Sequence, residues 1–111
     1  MSSTLSLEAS KKVFEIVGEY ETEKCWLTHD GVTRLELTSC IINYLGDLGG
    51  VAWFPAPTFS ELIRVLPKLI RAKRPEWRVN DSIGMYAEKY ALAPTEPEGM
   101  AAVETYLMKL L

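Results

Sequence analysis

Two residues, Asp30-Gly31, constrain this chain more than any others. They separate Cys25-Trp26-Leu27-Thr28-His29 from Val32-Thr33-Arg34-Leu35-Glu36-Leu37, two runs of β-prone residues. A two-residue type I′ connection needs positive φ at both positions, and Asp-Gly is one of the few pairs that accept it at little cost. The spacing predicts an antiparallel hairpin, and the alternation of Leu35 and Leu37 with Arg34 and Glu36 predicts one buried and one wet face.

Helices flank this hairpin. Residues 7–17 carry Leu7, Val13, Phe14 and Val17 at near-helical spacing, continued by Tyr20, with Ser6 placed to cap the first turn and Gly18 to end the last. Thr58-Phe59-Ser60-Glu61 has capping-box spacing, and Phe59, Leu62, Ile63 and Leu66 follow at i, i+3, i+4 and i+7. Pro67 predicts an end or a kink. Thr95-Glu96-Pro97-Glu98 repeats the capping pattern ahead of Met100, Val103, Leu107 and Leu110. The two starts share Ala-Pro-Thr-x-x-Glu, at 56–61 and 93–98. Their surroundings do not repeat, so the echo reads as convergent strand-to-helix punctuation rather than duplication.

Three stretches stay less defined. Cys40 to Leu45 suits a strand or a short helix. Gly46, Asp47, Gly49 and Gly50 mark a loop, and Val51 to Phe54 reads as a short strand or an apolar entry segment. Residues 77–92 read as strands Trp77–Val79 and Ile83–Ala87 about a turn at Asn80-Asp81. The alternative is a Ser82-capped helix with Ile83, Tyr86, Ala87 and Tyr90 on one stripe. Gly84 costs that helix about 1 kcal/mol, which favours strands. The expected fold is α+β: one domain over 1–111, with a small antiparallel or mixed sheet packed by about three helices, N-terminal, central and C-terminal. The stripes of the helices starting near Thr58 and Thr95 are expected on one sheet face.

The 111 residues, 48% hydrophobic and 24% charged, suffice for one core without metal or disulfide staples. No apolar run approaches the ~20 residues that cross a bilayer. The N-terminus lacks the basic start and apolar stretch of a secretory signal, so a cytoplasmic location with both cysteines reduced is expected.

Little catalytic chemistry is suggested. His29 is the single histidine, and Cys25 and Cys40 lack Cys-x-x-Cys spacing, so neither a metal site nor a cofactor is expected. Pairing His29 with either cysteine as a nucleophile competes with the commoner buried, inert thiol. The glycines at 46–50 lack the Lys-Ser/Thr of a phosphate loop. Glu19, Glu21 and Glu23 read as a solvated connection. The chain is expected not to be an enzyme.

Charge is distributed unevenly. The net charge of −3 conceals a basic segment, residues 64–78, holding Arg64, Lys68, Arg71, Lys73, Arg74 and Arg78 against Glu76 alone. Arg64, Lys68 and Arg71 share a helical face if the helix survives Pro67, and Trp77 could stack on a base. The segment suits a solvated face, a protein partner or nucleic acid.

The run Trp53-Phe54-Pro55-Ala56-Pro57-Thr58-Phe59-Ser60-Glu61-Leu62-Ile63-Arg64-Val65-Leu66-Pro67 resembles a segment of small bacteriophage and prophage proteins. These carry a Pro-Ala-Pro-Thr-x-x-Glu-Leu helix start and end in an Ala- and Leu-rich helix, similar to Glu98–Leu111. The resemblance implies a phage setting and transfers no catalytic residue. The combined expectation is a non-catalytic accessory protein that binds a host or phage protein through Arg64, Lys68, Arg71, Lys73, Arg74, Trp77 and Arg78. Nucleic-acid binding is the alternative, and self-association is compatible with either.

Overall fold

The hairpin closes at Asp30 and Gly31, which take φ of 52° and 78°. In this computed structural model, which describes residues 3–44 and 52–111, β1 (Lys24–His29) and β2 (Val32–Leu37) pair antiparallel, with His29 opposite Val32 and Lys24 opposite Leu37. β3 (Ala52–Ala56) joins the other side of β1, also antiparallel, with Trp26 opposite Phe54. The sheet order is β2-β1-β3. Residues Thr38–Tyr44 form a 3-10 helix, which settles the alternative at Cys40 for a helical turn. Leu45, the glycine-marked loop at 46–50 and Val51 lie outside the described residues.

The two edges of this sheet differ. The Thr38 amide donates to the Glu23 carbonyl at 2.8 Å, one step beyond the β1–β2 ladder and in its register. Antiparallel strands alternate the direction of their backbone groups. Even-numbered residues of β2 therefore bond to β1, and the amides and carbonyls of Thr33, Leu35 and Leu37 point away from the sheet. The same alternation turns Pro55 of β3 outward, where its missing N–H breaks no ladder bond. Just past that strand the Leu5 amide donates to the Pro57 carbonyl at 2.9 Å. Proline and the N-terminal segment thus interrupt the β3 edge at positions 55 and 57. Among the described residues, no strand pairs with the outer edge of β2.

α1 (Leu7–Val17) starts at Ser6, whose Oγ accepts from the Ala9 amide at 3.3 Å, and stops at Gly18, φ 76°. Its buried residues are Ala9, Val13 and Val17, an i, i+4 row, with Ser10 beside them. Leu7, expected in the stripe, lies off this row and is exposed. Phe14 stacks on Phe54 at 6.2 Å, and the Trp26 indole donates to the Leu5 carbonyl at 3.2 Å. These contacts join the helix to one sheet face. On the opposite face Cys25, Leu27 and Ile41 form a small separate core, with Trp53 against it.

α2 (Phe59–Lys73) begins with the expected capping box and runs on through Pro67. The proline leaves the Ile63 carbonyl without its usual donor, but buried Leu66, Leu69 and Ile70 hold the turns on either side. α3 (Val79–Leu92) replaces the strands expected over 77–92. Gly84 sits on its exposed side, so its propensity cost is outweighed by burial of Tyr86 and by stacking of Tyr90 on Phe59, with centroids 4.0 Å apart and planes at 2°. α4 (Glu96–Leu110) is capped by Thr95, with Pro97 in its first turn. Among the described residues the α-helices number four where about three were expected.

The main core is helical. Leu62, Leu66, Val103, Leu107 and Leu110 are buried as expected, and Phe59 is half-buried. The expected docking of α2 and α4 on the sheet does not occur: both stripes face the other helices, and α1 supplies the main packing against β3. The stripes of α2 and α4 are covered once α3 stands between them as a helix. Among the described residues, no helix is long and apolar enough to cross a membrane.

Candidate functional site

Pro75 prevents α2 from continuing, so the chain turns a corner between α2 and α3. The Arg74 amide still donates to the Ile70 carbonyl, and the Trp77 amide donates back to the Arg74 carbonyl at 3.0 Å. Every residue from Arg71 to Arg78 is exposed along this corner. Arg71, Lys73, Arg74 and Arg78 gather here against Glu76, and the Arg74 guanidinium lies over the Trp77 ring, 5.6 Å from its centroid. That pairing keeps the indole and the charge side by side, about 37% of Trp77 being open to solvent.

The helix itself supplies part of the reason for the bases. Four carbonyls at the C-terminal end of α2 carry partial negative charge, and Arg71 and Lys73 in the last turn offset it. This stabilisation requires no ligand. It leaves Arg78 unaccounted for, since that residue opens α3 at its positive end and makes no side-chain capping bond.

The structure divides the seven residues proposed from the sequence. Lys68 and Arg64 are on α2, in register with Arg71 because the helix passes through Pro67. Lys68 Nζ donates to the Val17 carbonyl at 3.0 Å, closing the end of α1 before Gly18. Arg64 lines a different feature, a cleft of about 930 Å³ bounded by Glu19, Tyr20, Glu21, Glu23, Trp53 and Glu61 among others. The corner retains Arg71, Lys73, Arg74, Trp77 and Arg78.

The cleft escaped the sequence reading. Glu19, Glu21 and Glu23 look like a wet connection in the sequence, but here they face Glu61 across an open depression. Glu61 shapes it: Oε1 accepts from the Thr58 amide at 2.9 Å and Oε2 from the Glu23 amide at 2.7 Å, so one carboxylate caps α2 and anchors the entry to β1. Burial, and then the Glu61 charge, hold the Tyr20 phenol protonated well above its ordinary range. The alternation Glu-x-Glu-x-Glu was the available signal; its partner, thirty-eight residues from Glu23, was not visible in it.

Cys25 and His29 lie four residues apart on β1, and Cys40 lies on the 3-10 helix. Cys25 is buried, and that burial pushes its thiol up. Cys40 is half-buried on the 3-10 turn. His29 sits at the hairpin tip with its Nδ1 3.8 Å from Asp30. Among the described residues, no group of three or more His, Cys, Asp or Glu side chains could hold a metal ion. No family model, curated protein or solved structure matches the chain at a significant level.

Proposed function

We propose that this chain is a non-catalytic binding protein whose α2–α3 corner docks on an acidic surface of a protein partner, in keeping with its resemblance to small phage and prophage proteins. The observation that carries the reading is the exposed run Arg71–Arg78, four bases and an indole on a corner between two packed helices. Exposed Arg and Trp side by side supply what protein interfaces draw on most heavily, a flat apolar anchor and a directional donor. The acidic cleft beyond the other half of α2 gives the molecule two poles, which favours a partner with localised charge over a uniform polyanion.

A nucleic-acid reading is favoured by one observation, the Arg74–Trp77 pair, because such a pair can stack a base while contacting phosphate. One experiment separates the two. The tagged chain is used to capture ligands with and without nuclease, beside an Arg71→Glu, Arg74→Glu variant whose fold is checked by circular dichroism. Capture of a protein that survives nuclease and is lost in the variant is expected. Its affinity should fall with salt more gently than log–log slope −3, whereas duplex DNA loses about 0.9 per neutralised phosphate. A steeper slope with nuclease-sensitive capture would transfer the corner to nucleic acid, and unchanged capture by the variant would remove it from either role.

A further inference from the structure

Among the described residues, no strand occupies the outer edge of β2, a second surface independent of the α2–α3 corner. Isolated edges are normally blunted by lysine, proline, a bulge or a covering segment, because a row of free amides and carbonyls templates pairing with another strand. The β3 edge follows that rule through Pro55 and Leu5. Among the described residues β2, with the sequence Val-Thr-Arg-Leu-Glu-Leu, has no lysine, proline, bulge or covering strand, and its two charges, Arg34 and Glu36, are of opposite sign. Val32 is 62% exposed, Leu35 36% and Leu37 45%. Leu35 and Leu37 lie on the α1 face of the sheet, beyond the reach of the Phe14–Phe54 contact.

We infer that β2 pairs with β2 of a second copy of this chain, forming a two-fold dimer with a continuous six-stranded antiparallel sheet. The sequence of the strand selects this occupant. With the two-fold axis through Leu35, the outward backbone groups fall into bonded pairs: Leu35 with its own copy, and Thr33 with Leu37 of the copy, twice. The intervening non-bonded pairs are then Arg34 with Glu36 of the copy, again twice. Arg34 and Glu36 already form an ion pair within the strand, Nε to Oε1 at 2.7 Å. The dimer joins two such pairs into a ring of alternating charge on one face. On the other face it brings Leu35, Leu37 and their copies together. Opposite charges directly across an antiparallel ladder stabilise it, whereas like charges oppose it. Shifting the axis to either neighbouring outward residue, Thr33 or Leu37, loses the Arg–Glu matches and shortens the ladder. A six-residue seam lies at the small end of specific interfaces, which places the dimer in roughly the micromolar range.

The full chain is followed by sedimentation velocity from about 1 μM to 1 mM, beside three variants and with circular dichroism as the check on fold. A concentration-dependent dimer is expected. Leu35→Pro should remain monomeric, because its lost amide points outward and its removal costs β1 no bond. Arg34→Glu and Glu36→Arg should each weaken the dimer at least tenfold, since each sets like charges across the seam. Mixing these two charge variants should restore it, as every crossing is then a Glu–Arg pair. If Leu35→Pro fails to fold, the mixing result alone decides. A wild-type chain that stays monomeric throughout overturns the inference, including the case where the edge captures a foreign strand. So does a dimer indifferent to the charge variants and unrestored by their mixing.

Discussion

Tyr86 is the largest side chain fully enclosed by the core, and its hydroxyl has no hydrogen-bond partner among the described residues. Leaving a buried donor unpaired forfeits about 1–3 kcal/mol of solvation that nothing returns. The ring itself is well placed, edge-on to Tyr106 at 4.8 Å. Tyr86→Phe keeps the ring and removes the stranded hydroxyl, so chemical denaturation at neutral pH should show equal or greater stability. A loss above about 1 kcal/mol would reveal a partner for the hydroxyl. The pH dependence has a definite sign. Burial, and then Tyr106, raise the ionisation of Tyr86 above that of a free phenol. A group raised in the folded state stabilises fully below its unfolded value, about pH 10, and loses that contribution as pH climbs beyond it. Above that point the wild type should lose stability more steeply than Tyr86→Phe, by up to about 1.4 kcal/mol per pH unit.

At the scale of elements, the glycines of α3 and α4 explain both a sequence error and a close approach. Gly84 counted against a helix over 77–92, yet a Cβ there would meet nothing within 4 Å. Gly84→Ala should therefore stabilise by about 0.5–1 kcal/mol, the ordinary helix preference for alanine. Gly99 is different, because its Cβ would sit 3.0 Å from the Tyr90 ring and 3.1 Å from the Tyr90 carbonyl. Tyr90 is held in place by its stack on Phe59 and cannot yield freely. Gly99→Ala should lose stability, by about 1 kcal/mol after the helix gain is subtracted. Thermal melts of the two variants, moving in opposite directions, check both statements.

These elements also show what the sequence makes legible. Ser6, Thr58 and Thr95 announce their helices because a cap is a local bond, closed within three residues. Asp30-Gly31 announces the hairpin for the same reason. α3 has no such announcement: Arg78 makes no side-chain cap, and the helix is held by Tyr86 and Tyr90 meeting residues far along the chain. The basic corner was legible as spacing. That Lys68 closes α1, and that Glu61 ties α2 to Glu23, depends on segments about forty to fifty residues away.

Across the whole molecule, burial is unequally shared. The helical core is anchored by Leu62, Leu66, Leu69, Ile70, Val103 and Leu107, whereas the far face of the sheet rests on Cys25, Leu27 and Ile41. Regions with few buried contacts open at lower free energy than the core does. Amide hydrogen exchange on dilute protein should show Arg34 and Glu36 of β2 exchanging well before Leu66 and Val103. Equal protection in both regions would mean that sheet and helices unfold as one unit.

The proline at position 55 has one more consequence. A sheet with two receptive margins has a valence of two and can add molecules without limit, as fibres do. Here one margin lacks an N–H at its centre and is bonded to Leu5 just beyond it. Among the described residues, the β2 margin is therefore the receptive one. Association of β2 with β2 occupies that margin in both copies at once, so assembly through this strand terminates at two copies however concentrated the protein becomes.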